Sequence, residues 1–172
     1  VLIAVSKTIK DKLVKFYDAD KKKIKIINNS IGRFWFNDER CKECDKSFPK
    51  AGDKTRIIII TRLGKDNLWF FQKGNDRVFE IAKKLGKKQD IILFGNTNNV
   101  EECKRAFKKH NIQFYPNFPN KHLHHVLRHG DIYLNCSRDE SFGLTVIEAM
   151  SKGLVPISFP VRIAPEILDG TN

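Results

Sequence analysis

The chain has 172 residues, of which 41% are apolar and 30% charged, and its formal net charge is +12. That balance excludes a disordered polyelectrolyte and suits one soluble globular domain or one half of a larger enzyme. The longest purely aliphatic run, Ile57 to Ile60, falls far short of the ~20 residues that span a bilayer, and no apolar segment follows a basic start as a secretory leader would.

In chain order, Val5, Ile9, Leu13 and Phe16 recur at helical spacing, which predicts an amphipathic helix with Ser6 as its N-cap. Residues 23–27 read as a short strand and 28–30 as its turn. From Ile31 to Lys54 the pattern is poor, and an irregular connector is expected there. It holds a C-x2-C pair, Cys41 and Cys44. Cys103 and Cys136 form no second close pair, so a zinc ribbon is not expected. Scattered thiols without a leader suit a reducing cytoplasm.

Strands rich in aliphatic residues then alternate with amphipathic helices. RIIIIT (56–61) is a strand buried on both faces. NDRVFEIAKKLG (75–86) is a helix with Val78, Ile81, Ala82 and Leu85 inward and Gly86 as its stop. DIILFG (90–95) is the next strand. The helix from Asn99 carries Glu102 three residues on, a capping-box spacing. IQFY (112–115) is a strand, 120–130 a helix ending at Gly130, 131–137 a strand, 141–153 a helix ending at Gly153, 155–158 a strand, and Ala164-Pro165 opens a last helix. This alternation predicts an α/β fold, a Rossmann-like, doubly wound parallel sheet. Ligands of such sheets bind at the carboxyl ends of the strands, so the loops after Thr61, Phe94, Tyr115, Cys136 and Ser158 are the ones to inspect.

Neither a P-loop nor a G-x-G-x-x-G fingerprint is present. The richest loop is SRDESFG (137–143), which leads into the apolar helix LTVIEAM. A helix N-terminus attracts anions, and Gly143 has no side chain to obstruct one. Glu140 precedes that terminus, and Glu148 lies five residues past Gly143, ~7 Å along the axis. Thr145, Glu148 and Lys152 would share one stripe facing a cleft. A ligand with an anion in its middle and a hydroxyl-bearing group at each end fits this spacing. The plainer alternative is that Glu148 is one acid on an exposed polar stripe.

The stretch SRDESFGLTVIEAMSKGLVPISF, with APEILDGTN after it, resembles the donor-binding half of a family-4 retaining glycosyltransferase of the GT-B fold. Glu140 and Glu148 match its E-x7-E motif, and Pro165-Glu166 its late proline-Glu pair. VSKTIKDKL and KIKIINNSIG resemble its interdomain junction, and TRLGKDNLWFFQKGND its basic phosphate loop. The resemblance weakens from Phe34 to Lys54. It implies that Glu140 contacts the transferred sugar near the reacting carbon and that Glu148 holds the ribose hydroxyls. It implies a donor site made by Ser141, Phe142, Gly143, Leu144 and Thr145, with the amides around Gly143 to Thr145 on the diphosphate, which Arg62 and Lys73 neutralise. It implies no cofactor and no metal, and no D-x-D motif is present.

Two features depart from the family pattern. Thr61 stands where the family usually has Gly, and ten residues separate Arg62 from Lys73, which leaves Lys65 as an alternative phosphate lysine. The inserted NLWFF (67–71) is either core or an exposed patch. Tyr115 to Phe118 either flank a base or pack in the core. His122, His125 and His129 share one helix face, a candidate metal site; with no cysteine near it and a family that needs no metal, a solvated face is the expectation. Both chain ends, VLIAV and DGTN, are expected to be cut points, with an acceptor-binding domain preceding Val1 in the intact protein. The expected activity is hexosyl transfer from a nucleotide-sugar, UDP first and GDP second, to a glycan or lipid-linked acceptor in surface polysaccharide or lipopolysaccharide synthesis. The expected location is the cytoplasm, peripheral to the inner face of the membrane, and no nucleic-acid partner is expected. The rivals are another GT-B enzyme such as a nucleotide-sugar epimerase, and a basic nucleic-acid-binding domain.

Overall fold

A computed structural model describes residues 1–37, 39–48, 52–64 and 67–168, with side chains from Phe70 onward in the last segment. Five parallel strands form the main sheet: β3 (Arg56–Arg62), β4 (Asp90–Asn96), β5 (Ile112–Pro116), β6 (Ile132–Asn135) and β7 (Val155–Ser158). Before them come β1 (Leu2–Ala4) and β2 (Ile24–Ile26), which pair parallel as a separate two-stranded sheet.

The order in the main sheet is β5-β4-β3-β6-β7. The chain starts in the middle, runs outward through β4 and β5, then crosses back to lay β6 on the other side of β3. The topological switch point therefore lies between β3 and β6, where Ile57 faces Ile132 and Ile58 faces Tyr133. An open α/β sheet leaves a crevice outside the carboxyl ends of those two strands.

The strands alternate between two cores, as a period of two requires. Ile57, Ile59, Ile91 and Leu93 pack with Val78 and Ala82 of α4 (Asn75–Leu85) and Phe107 of α5 (Val100–Lys109). Ile58, Ile92 and Tyr133 pack on the opposite face. Their partners there are Leu123, Val126 and Leu127 of α6 (Asn120–Leu127), and Val146 and Ala149 of α7 (Leu144–Ser151). The sheet is thus doubly wound, as the sequence predicts.

The first helix, α1 (Lys7–Tyr17), is capped as expected, with the Ser6 hydroxyl accepting from the Ile9 N–H at 3.2 Å. Its apolar face is not buried, however. Phe16, expected to point inward, is 65% exposed, because α1 packs on the small β1–β2 sheet rather than on the main core. Glu166 in α8 (Ala164–Ile167) accepts from the backbone N–H of both Lys7 and Thr8 at 3.3 Å, so the end of the described chain is fastened to the start of α1. A carboxylate at a helix N-terminus satisfies orphan donors and complements the dipole.

Three further expectations are corrected. Asn99 makes no side-chain cap to α5, and its own N–H is instead bound by the Thr97 hydroxyl at 3.0 Å. The helix expected from Ser141 starts at Leu144, because Gly143 takes a left-handed φ of 103° that ends the loop. The connector is not wholly irregular. It contains a 3₁₀ turn, Arg33–Phe36, packed on α7, and the helix α2 (Lys42–Ser47), packed on α6.

Candidate donor-binding site

A cleft of about 730 Å³ opens at the switch point. One wall is the end of β3, with Thr61 and Arg62; another is the loop after β6, with Glu140 to Gly143; Leu144 and Thr145 of α7 complete that side. Lys73 and Gln72 enter from the end of α3 (Asn67–Gln72) and the turn beyond it. Asn96 at the end of β4, Asn120 at the start of α6 and Arg162 in the loop after β7 close the cleft. Eight of the nine expected site residues, Glu140, Arg62, Lys73, Ser141, Phe142, Gly143, Leu144 and Thr145, thus line one cavity. Phe142 does so from the core, being buried, and its carbonyl accepts from the Ile163 N–H.

The ninth, Glu148, stands one turn further along α7, beyond that wall. It is half-buried, and desolvation raises its carboxyl above the usual range. Among the described residues no side chain or backbone group pairs with its carboxylate. The expected stripe is broken at Lys152, whose ammonium turns away to donate to the Asn37 carbonyl at 2.8 Å. Thr145 stays on the cleft side, with its hydroxyl accepting from the buried Tyr133 phenol at 2.7 Å. Burial, and after it the nearby Glu140 and Glu148 carboxylates, keeps that phenol protonated.

The loop before α7 is the opposite case. Lys73 Nζ lies 2.8 Å from both oxygens of Glu140, and the Ser137 hydroxyl donates to the same carboxylate at 2.7 Å. Arg162 donates to the Glu140 carbonyl and to the Asp139 carboxylate. Arg138 grips Asp76 with two bonds of 2.6 Å and lies 3.6 Å over the Phe71 ring. That grip holds the Asp76 carboxyl below its usual range.

Lys73 is carried to Glu140 by a tight backbone approach. Gly74 sits at φ 67°, and a Cβ there would lie 1.9 Å from the Cys136 carbonyl oxygen. Only glycine fits both conditions. Next to it Asn75, fully buried, accepts from the Thr61 hydroxyl at 3.0 Å and donates to the Arg62 and Phe70 carbonyls. Thr61 in place of a glycine is thereby explained: its hydroxyl anchors the turn that delivers Lys73. The insertion divides between the two expected roles, since Phe70 packs in the core and Phe71 is exposed under Arg138. Lys65 lies outside the described residues.

Among the described residues nothing accepts from the backbone N–H of Gly143, Leu144 or Thr145. Three orphan donors at a helix N-terminus thus face a cleft also lined by Arg62 and Lys73, an arrangement whose chemistry suits an anion. On the far side Asn117, at φ 50°, clamps Thr97 through both its amide atoms at 2.9 and 3.0 Å, tying the loop after β5 to the loop after β4. Tyr115 and Phe118 pack with Phe48 and Phe94 in the core, the plainer of their two readings.

Sequence reasoning missed Arg162, Ser137 and Asn75. Arg162 lies in the loop after Ser158, one of the five loops that strand polarity singles out, and that position was the available signal. The histidine face is also corrected. It is not solvated but meets the connector: His122 Nδ1 lies 4.0 Å from Cys44 Sγ, His125 Nδ1 3.1 Å from the Glu39 carbonyl, and His129 Nε2 2.9 Å from Asp45. Among the described residues, Cys41, Cys44 and His122 are the one group placed to hold a metal ion, and they stand outside the cleft.

This five-stranded parallel sheet, with its cleft at the switch point, has the architecture of the C-terminal half of a GT-B glycosyltransferase fold. Residues 42–171 match the model of glycosyl transferases group 1, and the chain belongs to that family. It is 26% identical to the GPI3 subunit of phosphatidylinositol N-acetylglucosaminyltransferase from Saccharomyces cerevisiae, over 97% of this chain and 37% of that protein. It superposes on a glycosyltransferase from Rickettsia africae with a TM-score of 0.79 at 20% identity, covering 99% of this chain and 46% of that one. On HepE from Anabaena, solved with UDP and glucose, the TM-score is 0.76 at 17% identity, covering 96% and 46%. The chain spans about 37% of the length of the yeast relative.

Proposed function

We propose that this chain is the donor-binding half of a retaining glycosyltransferase that takes a nucleotide-sugar, a UDP-sugar first. The observation that carries this reading is the row of three orphan N–H groups at Gly143 to Thr145, with a cation-paired acid before it and an unpaired, half-buried acid beyond it. The diphosphate fits the orphan donors and the helix dipole. Arg62 and the remaining donors of Lys73 meet the charge that develops as the diphosphate leaves. Glu148 then accepts from the two ribose hydroxyls. Glu140, held by Lys73 and Ser137, presents its carboxylate edge to the hydroxyls of the sugar.

In this reading the two cations and the helix terminus stand in for a divalent metal. The acceptor hydroxyl attacks on the face from which the diphosphate departs, with a diphosphate oxygen assisting, and Glu140 positions the donor sugar. The acceptor site belongs to another domain. The yeast relative is a subunit of a phosphatidylinositol N-acetylglucosaminyltransferase, which supports a lipid-linked acceptor; a peripheral position at the inner face of the membrane is part of the same proposal. No described helix is long and apolar enough to cross a membrane. HepE, solved with UDP and glucose, supports UDP as the carrier. A role in surface polysaccharide or lipopolysaccharide assembly completes the proposal.

The test is calorimetric titration of the chain with UDP and with uridine in EDTA. UDP is expected to bind and uridine to bind far more weakly, and Arg62→Ala is expected to erase most of the difference. Equal affinity for the two, or UDP binding only after a divalent cation is added, overturns the proposal. Lys65→Ala separates the two candidate phosphate lysines: if it costs more UDP affinity than Lys73→Ala, the role passes to Lys65.

A further inference from the structure

The connector and α6 bring together three soft ligands that the donor site does not use. Cys41 Sγ, Cys44 Sγ and His122 Nδ1 or Nε2 all lie within 4.8 Å of one another, and the Cys44–His122 separation is 4.0 Å. Tetrahedral zinc, with bonds of ~2.3 Å to sulfur and ~2.0 Å to nitrogen, needs ligand atoms ~3.5–3.8 Å apart. The three atoms therefore need to close by at most about 1.3 Å, within the reach of side-chain rotation. All four cysteines are free thiols.

The neighbourhood is set up to hold this geometry. The Cys44 N–H donates to Cys41 Sγ at 3.4 Å, which fixes the first sulfur over the start of α2. His125 of α6 against the Glu39 carbonyl, and His129 just past the end of α6 against Asp45, tie this segment to the connector on either side. A cavity of about 280 Å³ is walled by Cys44 and His122 together with Glu43, Phe118 and Tyr115. It leaves room for solvent as a fourth ligand.

We propose that Cys41, Cys44 and His122 form a zinc site, completed by a water molecule, that fastens the connector to α6. Two thiolates and an imidazole select a soft or borderline cation over magnesium or calcium. Binding releases the two thiol protons to solvent and involves no redox change. Asn120 at the start of α6 lines the donor cleft, so the same clamp steadies one edge of that cleft. The site is independent of the donor chemistry and survives if that reading fails.

Cobalt titration of the reduced, chelator-stripped chain tests it directly. One equivalent of Co²⁺ is expected to give a sulfur-to-cobalt charge-transfer band and tetrahedral visible bands, both displaced by one equivalent of Zn²⁺. Cys41→Ser with Cys44→Ser should abolish the charge-transfer band. His122→Ala should weaken binding beyond the ~10–100-fold typical of losing an outer-shell partner, and Cys103→Ser should change nothing. Circular dichroism of each variant reports its fold. If the double variant does not fold, the wild-type titration decides alone. A pale octahedral spectrum without the sulfur band, or a band that persists in a folded double variant, overturns the proposal. So does a melting temperature that one equivalent of zinc leaves unchanged.

Discussion

The loop from Ser137 to Gly143 and the helix α7 that follows it treat their acids in opposite ways. In the loop every acid has a cation: Lys73 for Glu140 and Arg162 for Asp139, with Arg138 reaching across to Asp76. On α7, Glu148 is desolvated and has no partner among the described residues. The loop's charges are arranged to hold a backbone shape. The helix keeps one acid at a cost, and such a group is a functional-site candidate on physical grounds. In the proposed function its partner is a pair of ribose hydroxyls.

The largest effect is expected where the loop is braced. Gly74→Ala forces a Cβ onto the Cys136 carbonyl at a left-handed φ. A cost of ~2–4 kcal/mol is expected, the range of steric and special-conformation changes, measured by urea unfolding. A loss under about 0.5 kcal/mol, the level of an ordinary surface change, would show that the turn does not brace the loop.

Next is Lys73→Ala, which leaves Glu140, 18% exposed, with only the Ser137 hydroxyl. A part-buried charge that loses its main donor costs ~1–3 kcal/mol. Lys73→Ala together with Glu140→Gln should recover much of that loss, because the uncompensated charge is then gone. A double variant no more stable than the single one would mean that Lys73 acts by packing alone.

The smallest effects are in the pH profile, and their signs differ between the two regions. Asp76 is held below its usual range by the hydrogen bonds from Arg138 and then by the guanidinium charge. It contributes stability that is present above the unfolded pKa and lost as pH falls through the lower folded one. Glu148 is raised by desolvation, so the folded protein binds its proton more tightly. Its contribution is best at acid pH and is lost as pH rises from the unfolded pKa through the raised one. Urea midpoints measured across acid to neutral pH should show a shallower acid limb in Arg138→Ala and a gain on the neutral side in Glu148→Gln. Like-signed changes in the two variants would erase the distinction between loop and helix.

Most of the main sheet was legible because its strands are aliphatic runs broken by turn residues. RIIIIT and DIILFG run one residue further than expected, ending at Arg62 and Asn96, and VPIS coincides with β7. The three-residue β1 was not legible. Its partner β2 lies twenty residues on, and three residues give too few alternations to set a period. The six-residue helices α2 and α3 fail for the same reason. In the site, residues supplied by one contiguous motif were found, from Glu140 to Glu148. The pairings made by long-range contact, such as Arg162 on Asp139 and Lys73 on Glu140, were not, because no local pattern encodes them. The histidine face was misread for that reason too: what covers it is a connector with almost no periodicity of its own.

The most direct test is a pair of calorimetric titrations, UDP and UDP-glucose, in EDTA, on Glu148→Gln and Glu140→Gln. Glu148→Gln should lower affinity for both ligands on the order of tenfold or more, the loss of charge-assisted hydrogen bonds of ~1.5–3 kcal/mol, while its melting temperature holds or rises. Glu140→Gln should bind UDP nearly as wild type and lose the added affinity of the sugar. If both variants melt lower and bind both ligands as wild type does, the two acids are structural and the proposed donor site is wrong.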